Sequence, residues 1–197
     1  AEDDDSVQVI DEMNSALGQA KVITSGMLAL SRAGGVPMRT TELELPLAEL
    51  ADILRMMLPE TVDWHLEIEP GLSASTNAGF LQAALLNLAL NGRDAMPKGG
   101  TLRVSGQRER WSGDPPLMVG ELRAGDYAVL RMRDSGIGMS ETTLARIFEP
   151  LFSTKTKQRG HGLGMFMVRE FVVRSGAGLA VRSTPGAGTE FQFLLPL

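Results

Sequence analysis

Residues 85–100 read "LLNLALNGRDAMPKGG", an apolar helix that two asparagines interrupt. On a helix, Asn87, Asn91 and Asp94 follow i, i+4, i+7 spacing and share one face, while leucines cover the others. A side-chain amide in an apolar site without a partner costs roughly 1–3 kcal/mol, so we expect the asparagines to face a ligand, an ion or water. For the pair taken alone, the alternative that both cap neighbouring backbone groups stays open.

Composition narrows the class of protein. The chain has 197 residues, 43% of them hydrophobic, which suits one main domain with an accessory element. The formal net charge of −5, without alternating basic and aromatic residues, argues against a nucleic-acid partner. The lack of cysteine excludes disulfides and thiolate metal sites. No apolar run is long enough for a membrane span, so we expect a cytoplasmic protein. Because "AEDDD" lacks an initiator methionine, we also expect a piece of a longer chain, which leaves a membrane-attached parent open.

Hydrophobic periodicity predicts the order of helices and strands. Residues 6–33 present a wide apolar face on a long helix, and "GGVP" at 34–37 ends it. This boundary divides the chain into residues 1–36 and 37–197. The second part is predicted to contain strands at 41–45, 62–69, 101–110 and 127–134, helices at 46–58, 76–96 and about 163–175, and a closing hairpin that turns at "TPGAG". Mixed strands and helices in this order are typical of an α/β two-layer sandwich.

The stretch "RDSGIGM" at 133–139 ends an apolar strand with an acidic residue. Asp134 at a strand end can accept a hydrogen bond from an exocyclic amine, which suits adenine. Gly136 and Gly138 let the backbone approach a flat ligand closely. Taken alone, the pattern also describes an ordinary turn.

The stretch "RGHGLGMFMVREF" at 159–171 places alternate glycines before an amphipathic helix. Backbone N–H groups at such a helix start can form an anion site. No strand directly precedes it, so a doubly wound dinucleotide fold is disfavoured. The preceding connector is basic and could meet phosphate, although alone it would be typical of a solvated loop. Its basic residues are Lys155, Lys157 and Arg159.

In this order, the segments together resemble the catalytic, ATP-binding domain of sensor histidine kinases. That domain belongs to a superfamily that includes gyrase, heat-shock chaperone and mismatch-repair ATPases. The resemblance covers roughly residues 40–197 and also includes "IFEPLFSTK" and "GAGTEFQFLLPL". It implies a Bergerat-type ATP-binding fold for residues 37–197. Residues 1–36 resemble the second helix of a dimerisation and phosphotransfer hairpin.

The resemblance implies roles for individual residues. Asn91, supported by Asn87, would hold a magnesium ion that bridges the phosphates of ATP. Asp134 would accept from the adenine amino group, and Thr189 would complete the adenine pocket. The other residues implied to contact the nucleotide are Arg93, Asp94, Gly136, Gly138, Met139, Lys155, Gly160, Gly162, Leu163 and Gly164.

The resemblance also implies a lid at about 140–161. Phe148 and Phe152 would anchor it. His161 departs from the small hydroxyl residue usual in the family. Whether Arg93 or Asp94 faces phosphate stays open, because many relatives have a basic residue where this chain has the aspartate.

By resemblance, the residue at position 87 distinguishes superfamily members that act as kinases from those that hydrolyse ATP. Relatives that hydrolyse ATP place a glutamate four residues before the metal asparagine, where it activates water. Asn87 cannot take a proton, so the implied function is transfer of the γ-phosphoryl group to a protein histidine in a two-component system. A clamp-type ATPase stays open as an alternative. So does a degenerate phosphotransfer or scaffold protein of the same fold without kinase activity.

The implied phosphoacceptor histidine is not recognisable in this sequence. His65 falls in a predicted strand and His161 in the predicted lid. We therefore expect the acceptor on a helix outside this sequence and no self-phosphorylation by this chain alone. The implied partners are that phosphoacceptor helix, a response-regulator receiver domain and a second copy that pairs through the N-terminal helix.

Overall fold

The structure, a computed structural model, describes residues 37–153 and 162–197. The helix predicted at 6–33 lies outside the described residues, so the division at residue 36 stays a prediction. The strands are β1 (Arg39–Glu42), β2 (Val62–Ile68), β3 (Ser73–Thr76), β4 (Gly100–Trp111), β5 (Gly125–Asp134), β6 (Gly178–Thr184) and β7 (Gly188–Pro196). The helices are α1 (Glu44–Met57), α2 (Ala78–Ala95), α3 (Glu141–Leu144) and α4 (Gly164–Arg174). None of the described helices is long and apolar enough to span a membrane.

Five strands form a mixed sheet in the order β2-β4-β5-β7-β6. Strands β2 and β4 run parallel, and the chain passes through β3 and α2 between them. The other neighbours pair antiparallel. Side chains alternate along each strand, so Leu130 and Met132 of β5 face the core together with their β7 partners Phe193 and Phe191. This arrangement confirms the predicted α/β two-layer sandwich.

Aromatic rings join the helices to the sheet. Phe171 of α4 lies edge-to-face with Phe80 of α2 and with Phe193 of β7, with ring centroids 5.3 and 5.9 Å apart. Such pairs stabilise by about 0.5–1.5 kcal/mol beyond the apolar area they bury. The contacts fix α2 and α4 side by side on the sheet, and this places the asparagine face of α2 next to the start of α4.

The start of the domain differs from the prediction. The strand predicted at 41–45 ends at Glu42, because Leu43 is fully buried and its carbonyl accepts from the N–H of Leu47. Helix α1 therefore begins two residues early. Pro46 is tolerated in its first turn, where a missing N–H loses no helical bond.

Strand β3 was absent from the prediction, which began a helix at residue 76. Its four small or hydroxyl residues carry little strand signal, and the strand exists because it pairs antiparallel with β1. Asn77 ends the strand and caps α2, since its side chain accepts from the N–H of Phe80 at 3.0 Å.

Candidate nucleotide-binding site

Three adjacent strands each contribute one polar side chain at the same level of the sheet. Asp134 of β5 is paired with Thr189 of β7, which is paired in turn with Ser183 of β6. Asp134 and Thr189 are each only 7% exposed. Polar groups buried on the helix-covered face need partners, so this row marks one end of the candidate site.

Asp134 is held by backbone N–H groups. The N–H of Gly136 donates to its Oδ1 at 2.9 Å, and the N–H of Thr189 donates to the same carboxylate. Burial raises the pKa of the Asp134 carboxyl above its ordinary value, and these two hydrogen bonds oppose part of the rise. The result is a fixed, buried acceptor of the kind that an exocyclic amine requires.

Two glycines allow α2 to approach this carboxylate. A Cβ on Gly92 would lie 3.2 Å from the Cβ of Asp134, and one on Gly136 would lie 2.7 Å from the Cβ of Ala95. Gly136 is among the residues predicted from the sequence, whereas Gly92 is not. Gly92 could have been noticed from the sequence, because a glycine inside a helix costs about 1 kcal/mol relative to alanine and therefore indicates that another group packs closely there.

Both asparagines lie on one face of α2, as their spacing predicts, and this face meets the first turn of α4. The side chain of Asn87 lies against Gly164, where an added Cβ would stand 2.1 Å from Asn87 Oδ1. Asn87 Nδ2 is buried without a hydrogen-bond partner among the described residues. Asn91 Nδ2 donates to Met165 Sδ at 3.5 Å. The space between α2 and α4 therefore contains a buried amide nitrogen, Nδ2 of Asn87, that can still donate a hydrogen bond to a ligand.

Within the described part of the chain, the start of α4 has no side-chain cap. Leu163 is the N-cap residue and makes no capping hydrogen bond, and the first turn contains no acidic residue. Gly162 adopts a φ of 63°, and its carbonyl accepts from the N–H of Leu151 at 3.1 Å. The first N–H groups of a helix attract anions, so an uncapped start beside Asn87 suits phosphate.

Arg93 and Asp94 form an ion pair at the end of α2. The Arg93 guanidinium donates to Asp94 Oδ1 at 3.0 Å and to the carbonyl of Met57, the last residue of α1, at 3.4 Å. Arg93 therefore ties α2 to α1. A contact of either residue with phosphate stays a prediction.

The segment after Asp134 is held between α2 and the β6–β7 hairpin. Ile137 donates its N–H to the carbonyl of Ala95 at 3.0 Å and accepts from the N–H of Gly186 at 2.7 Å. Gly138 has a φ of 63°, and its Cβ would lie 2.0 Å from the carbonyl oxygen of Thr184, so only glycine fits there. This fixed turn presents Met139 beside the polar row.

Part of the predicted lid lies within the described residues. Phe148 packs against the core, next to the buried Ile147 that the sequence analysis did not single out. Phe152 lies under the guanidinium of Arg146, 4.4 Å from its ring centroid. Lys155 and Gly160, both predicted to contact the nucleotide, fall outside the described residues, so their roles stay predictions.

Residues 76–197 match the family described as histidine kinase-, DNA gyrase B-, and HSP90-like ATPases. The chain belongs to this family. The predicted resemblance is thus confirmed over the segment that contains α2, Asp134, α4 and Thr189.

Individual relatives of this ATPase domain are named as kinases. Sensor kinase CckA of Brucella abortus is 34% identical over 157 residues, which are 77% of this chain and 17% of that protein. Sporulation kinase C of Bacillus subtilis is 24% identical over 196 residues, which are 98% of this chain and 42% of that protein. The chain thus spans less than half the length of these relatives.

Solved structures share the fold of this ATPase domain. The catalytic domain of histidine kinase ThkA superposes with a TM-score of 0.65 at 19% identity, covering 82% of this chain and 96% of that one. Full-length ShkA in complex with AMPPNP gives a TM-score of 0.65 at 21% identity, covering 100% of this chain and 39% of that one. At these identities the likeness shows the fold alone.

Replacing Gly164 with alanine is expected to weaken Mg-ATP binding about tenfold without unfolding the domain. The new Cβ would lie 2.1 Å from Asn87 Oδ1 and displace that amide, while alanine is the better helix former. Calorimetric titration and a thermal melt measure the two effects. Gly79→Ala in the first turn of α2 is the matched control, because its Cβ would meet nothing closer than 3.7 Å. Parent-like affinity in Gly164→Ala would contradict a nucleotide site at Asn87.

Proposed function

We propose that this chain is the ATP-binding catalytic domain of a two-component sensor histidine kinase. It transfers the γ-phosphoryl group of ATP to a histidine on a separate phosphoacceptor helix. The observation that carries the proposal is the neutral amide of Asn87, which lies against Gly164 at the uncapped start of α4.

The chemistry available beside α4 favours transfer over hydrolysis. The resemblance implies a glutamate at the position equivalent to 87 in relatives that hydrolyse ATP, and the asparagine of this chain cannot accept a proton from water. Nearby carboxylates are otherwise engaged, since Asp94 pairs with Arg93 and Asp134 accepts from two backbone N–H groups. Catalysis then rests on positioning and on neutralisation of phosphate charge, which suffices for phosphoryl transfer.

Magnesium fits the donors present. Side-chain amides offer the hard oxygen ligands that Mg²⁺ prefers, and the ion keeps several waters and needs few protein ligands. The Nδ2 of Asn87, buried without a partner among the described residues, is a donor that suits a phosphate oxygen, while the amide oxygens are the groups that could face the ion. Asn91 and Asn87 would hold the ion, which would neutralise charge on the phosphates. Within 37–153 and 162–197, no group of three or more His, Cys, Asp or Glu side chains offers a competing metal site.

The phosphoacceptor is assigned to another helix. His65 lies in strand β2 with its Nε2 2.9 Å from Asp63 Oδ2, and a strand in a sheet does not present a histidine as a bundle helix would. His161 falls outside the described residues. We assign as partners the phosphoacceptor helix, a response-regulator receiver domain and a second copy through the predicted N-terminal helix, in the cytoplasm. A neighbouring structure, ThkA in complex with response regulator protein TrrA, supports the receiver assignment at the level of the fold.

The test is titration of a non-hydrolysable ATP analogue with and without magnesium. We expect binding to require magnesium and to fall at least tenfold in Asn91→Ala. Gln82→Ala is the matched control, because it removes an amide from the same helix where the side chain bonds Pro46 and Glu49 instead.

Phosphate release by the chain alone is the second measurement. We expect ATP turnover without an acceptor to be slow. Sustained release of inorganic phosphate would favour the clamp-type ATPase. Absence of nucleotide binding in a folded chain would favour the scaffold protein of the same fold.

A further inference from the structure

Ser183 is the third member of the polar row and was not identified from the sequence. Its Oγ accepts from the N–H of Met139 at 2.8 Å. The same hydroxyl lies 3.2 Å from the carbonyl oxygen of Gly188 and 2.9 Å from Thr189 Oγ1. One side chain therefore contacts the turn after Asp134 and the residue implied to complete the adenine pocket.

The single proton of Ser183 determines what Thr189 offers to a ligand. If that proton goes to the Gly188 carbonyl, Thr189 donates to Ser183 and its free lone pairs accept from the ligand. If the proton goes to Thr189, the hydroxyl of Thr189 is left to donate. In both arrangements Ser183 holds the Thr189 hydroxyl in one orientation, whereas without this contact the hydroxyl would rotate. The Thr189 residue is only 7% exposed.

The hairpin itself does not depend on this hydroxyl. Strands β6 and β7 are paired along their length from Gly178 to Thr184, and the N–H of Ala187 closes the turn on the carbonyl of Thr184 at 3.0 Å. A purely structural role for the Ser183 hydroxyl is therefore redundant with the backbone ladder. The contacts that nothing else replaces are those to Met139 and Thr189.

We propose that Ser183 is a positioning residue for base recognition in the candidate site. It orients the Thr189 hydroxyl toward the nucleotide base and anchors Met139 beside it. This inference rests on the proposed function, because it concerns the base end of the same ATP site. Ser183 acts through Thr189 and the Met139 backbone, and it does not touch the phosphates.

A double-mutant cycle on the 197-residue chain tests this role. Mg-ATP affinity is measured by calorimetry for the parent chain, Ser183→Ala, Thr189→Val and the double variant. We expect each single change to weaken binding about tenfold. The double variant should bind only slightly more weakly than Thr189→Val, well short of the product of the two single losses, because only the contact of Ser183 with the Met139 N–H remains to be lost once the Thr189 hydroxyl is gone.

Two further variants and thermal melts distinguish a positioning role of Ser183 from an effect on folding. Ser183→Thr keeps the hydroxyl and should bind more tightly than Ser183→Ala. Thr184→Ala, at the next and exposed position of β6, should bind like the parent. Thermal midpoints of all variants should stay within a few degrees of the parent, since the backbone ladder is intact.

The outcomes distinguish this inference from the proposed function. Two results would overturn the positioning role and leave the proposed function standing, provided that the parent binds Mg-ATP. In the first, Ser183→Ala binds Mg-ATP as tightly as the parent. In the second, the affinity losses of Ser183→Ala and Thr189→Val multiply in the double variant. If the folded parent binds no Mg-ATP, the proposed function fails and the positioning role fails with it.

Discussion

Asp134→Asn is expected to lower ATP affinity at least about 100-fold while the domain stays folded. The substitution keeps the shape of the side chain but can turn an amide donor toward the adenine amine, where a carboxylate acceptor is required. Hydrogen bonds to charged groups contribute about 1.5–3 kcal/mol. An amide N–H that faces the adenine amine loses this contribution and also leaves two donors in contact. Calorimetric titration with Mg-ATP measures the loss.

The stability of Asp134→Asn follows from the direction of the pKa shift. Burial raises the pKa of Asp134 in the folded state, so its contribution to stability is greatest below the unfolded pKa and is lost as pH rises through the folded pKa. At neutral pH the ionised carboxylate is therefore the less favourable form for folding, and a neutral amide removes that penalty. We expect a thermal midpoint at or above that of the parent.

Asp126→Asn provides the matched control for this prediction. It makes the same chemical change on the same strand, at an exposed residue whose carboxylate is 4.0 Å from Arg110. Its ATP affinity should equal that of the parent. If Asp134→Asn also binds like the parent, the base lies elsewhere and the assignment of the adenine pocket is wrong.

Gly188→Ala is expected to destabilise the domain by about 3 kcal/mol. Gly188 has a φ of 88°, and a Cβ there would lie 1.9 Å from the backbone oxygen of Asp134. No side-chain rotation relieves a clash with backbone, so β7 must move away from β5. Because Asp134 and Thr189 are partners across these two strands, ATP binding should be lost together with stability.

Gly186→Ala in the same hairpin isolates the steric contribution. Gly186 also has a positive φ, 78°, but an added Cβ would meet nothing within 4 Å. We expect only the cost of the left-handed backbone, about 1–2 kcal/mol, and nearly normal ATP affinity. Urea denaturation of both variants measures the difference in the free energy of unfolding. Equal destabilisation of the two would mean that the approach of Gly188 to Asp134 is not a tight constraint.

Local sequence signals predicted most of the fold and the outline of the site. The spacing of Asn87 and Asn91 on an otherwise apolar helix predicted a polar face, because helix geometry alone determines which residues share a side. Asp134 at a strand end and Gly164 at a helix start were likewise found from patterns within a few residues. The nucleotide-binding roles of all these residues stay predictions, and Lys155 and Gly160 also lie outside the described residues.

The sequence by itself determined the family, the order of most elements and the polar face of α2, because those depend on local periodicity and on motifs in a fixed order. The tertiary structure alone decided that β3 exists, that Arg93 reaches α1, and that Gly92 lies over Asp134. It also decided that the Ser183 hydroxyl contacts both Met139, which is distant along the chain, and Thr189, which lies on the neighbouring strand β7. Apart from the β6–β7 hairpin, which its own turn predicts, these contacts join segments that are distant along the chain, and the periodicity of a single element does not specify which distant segments become neighbours.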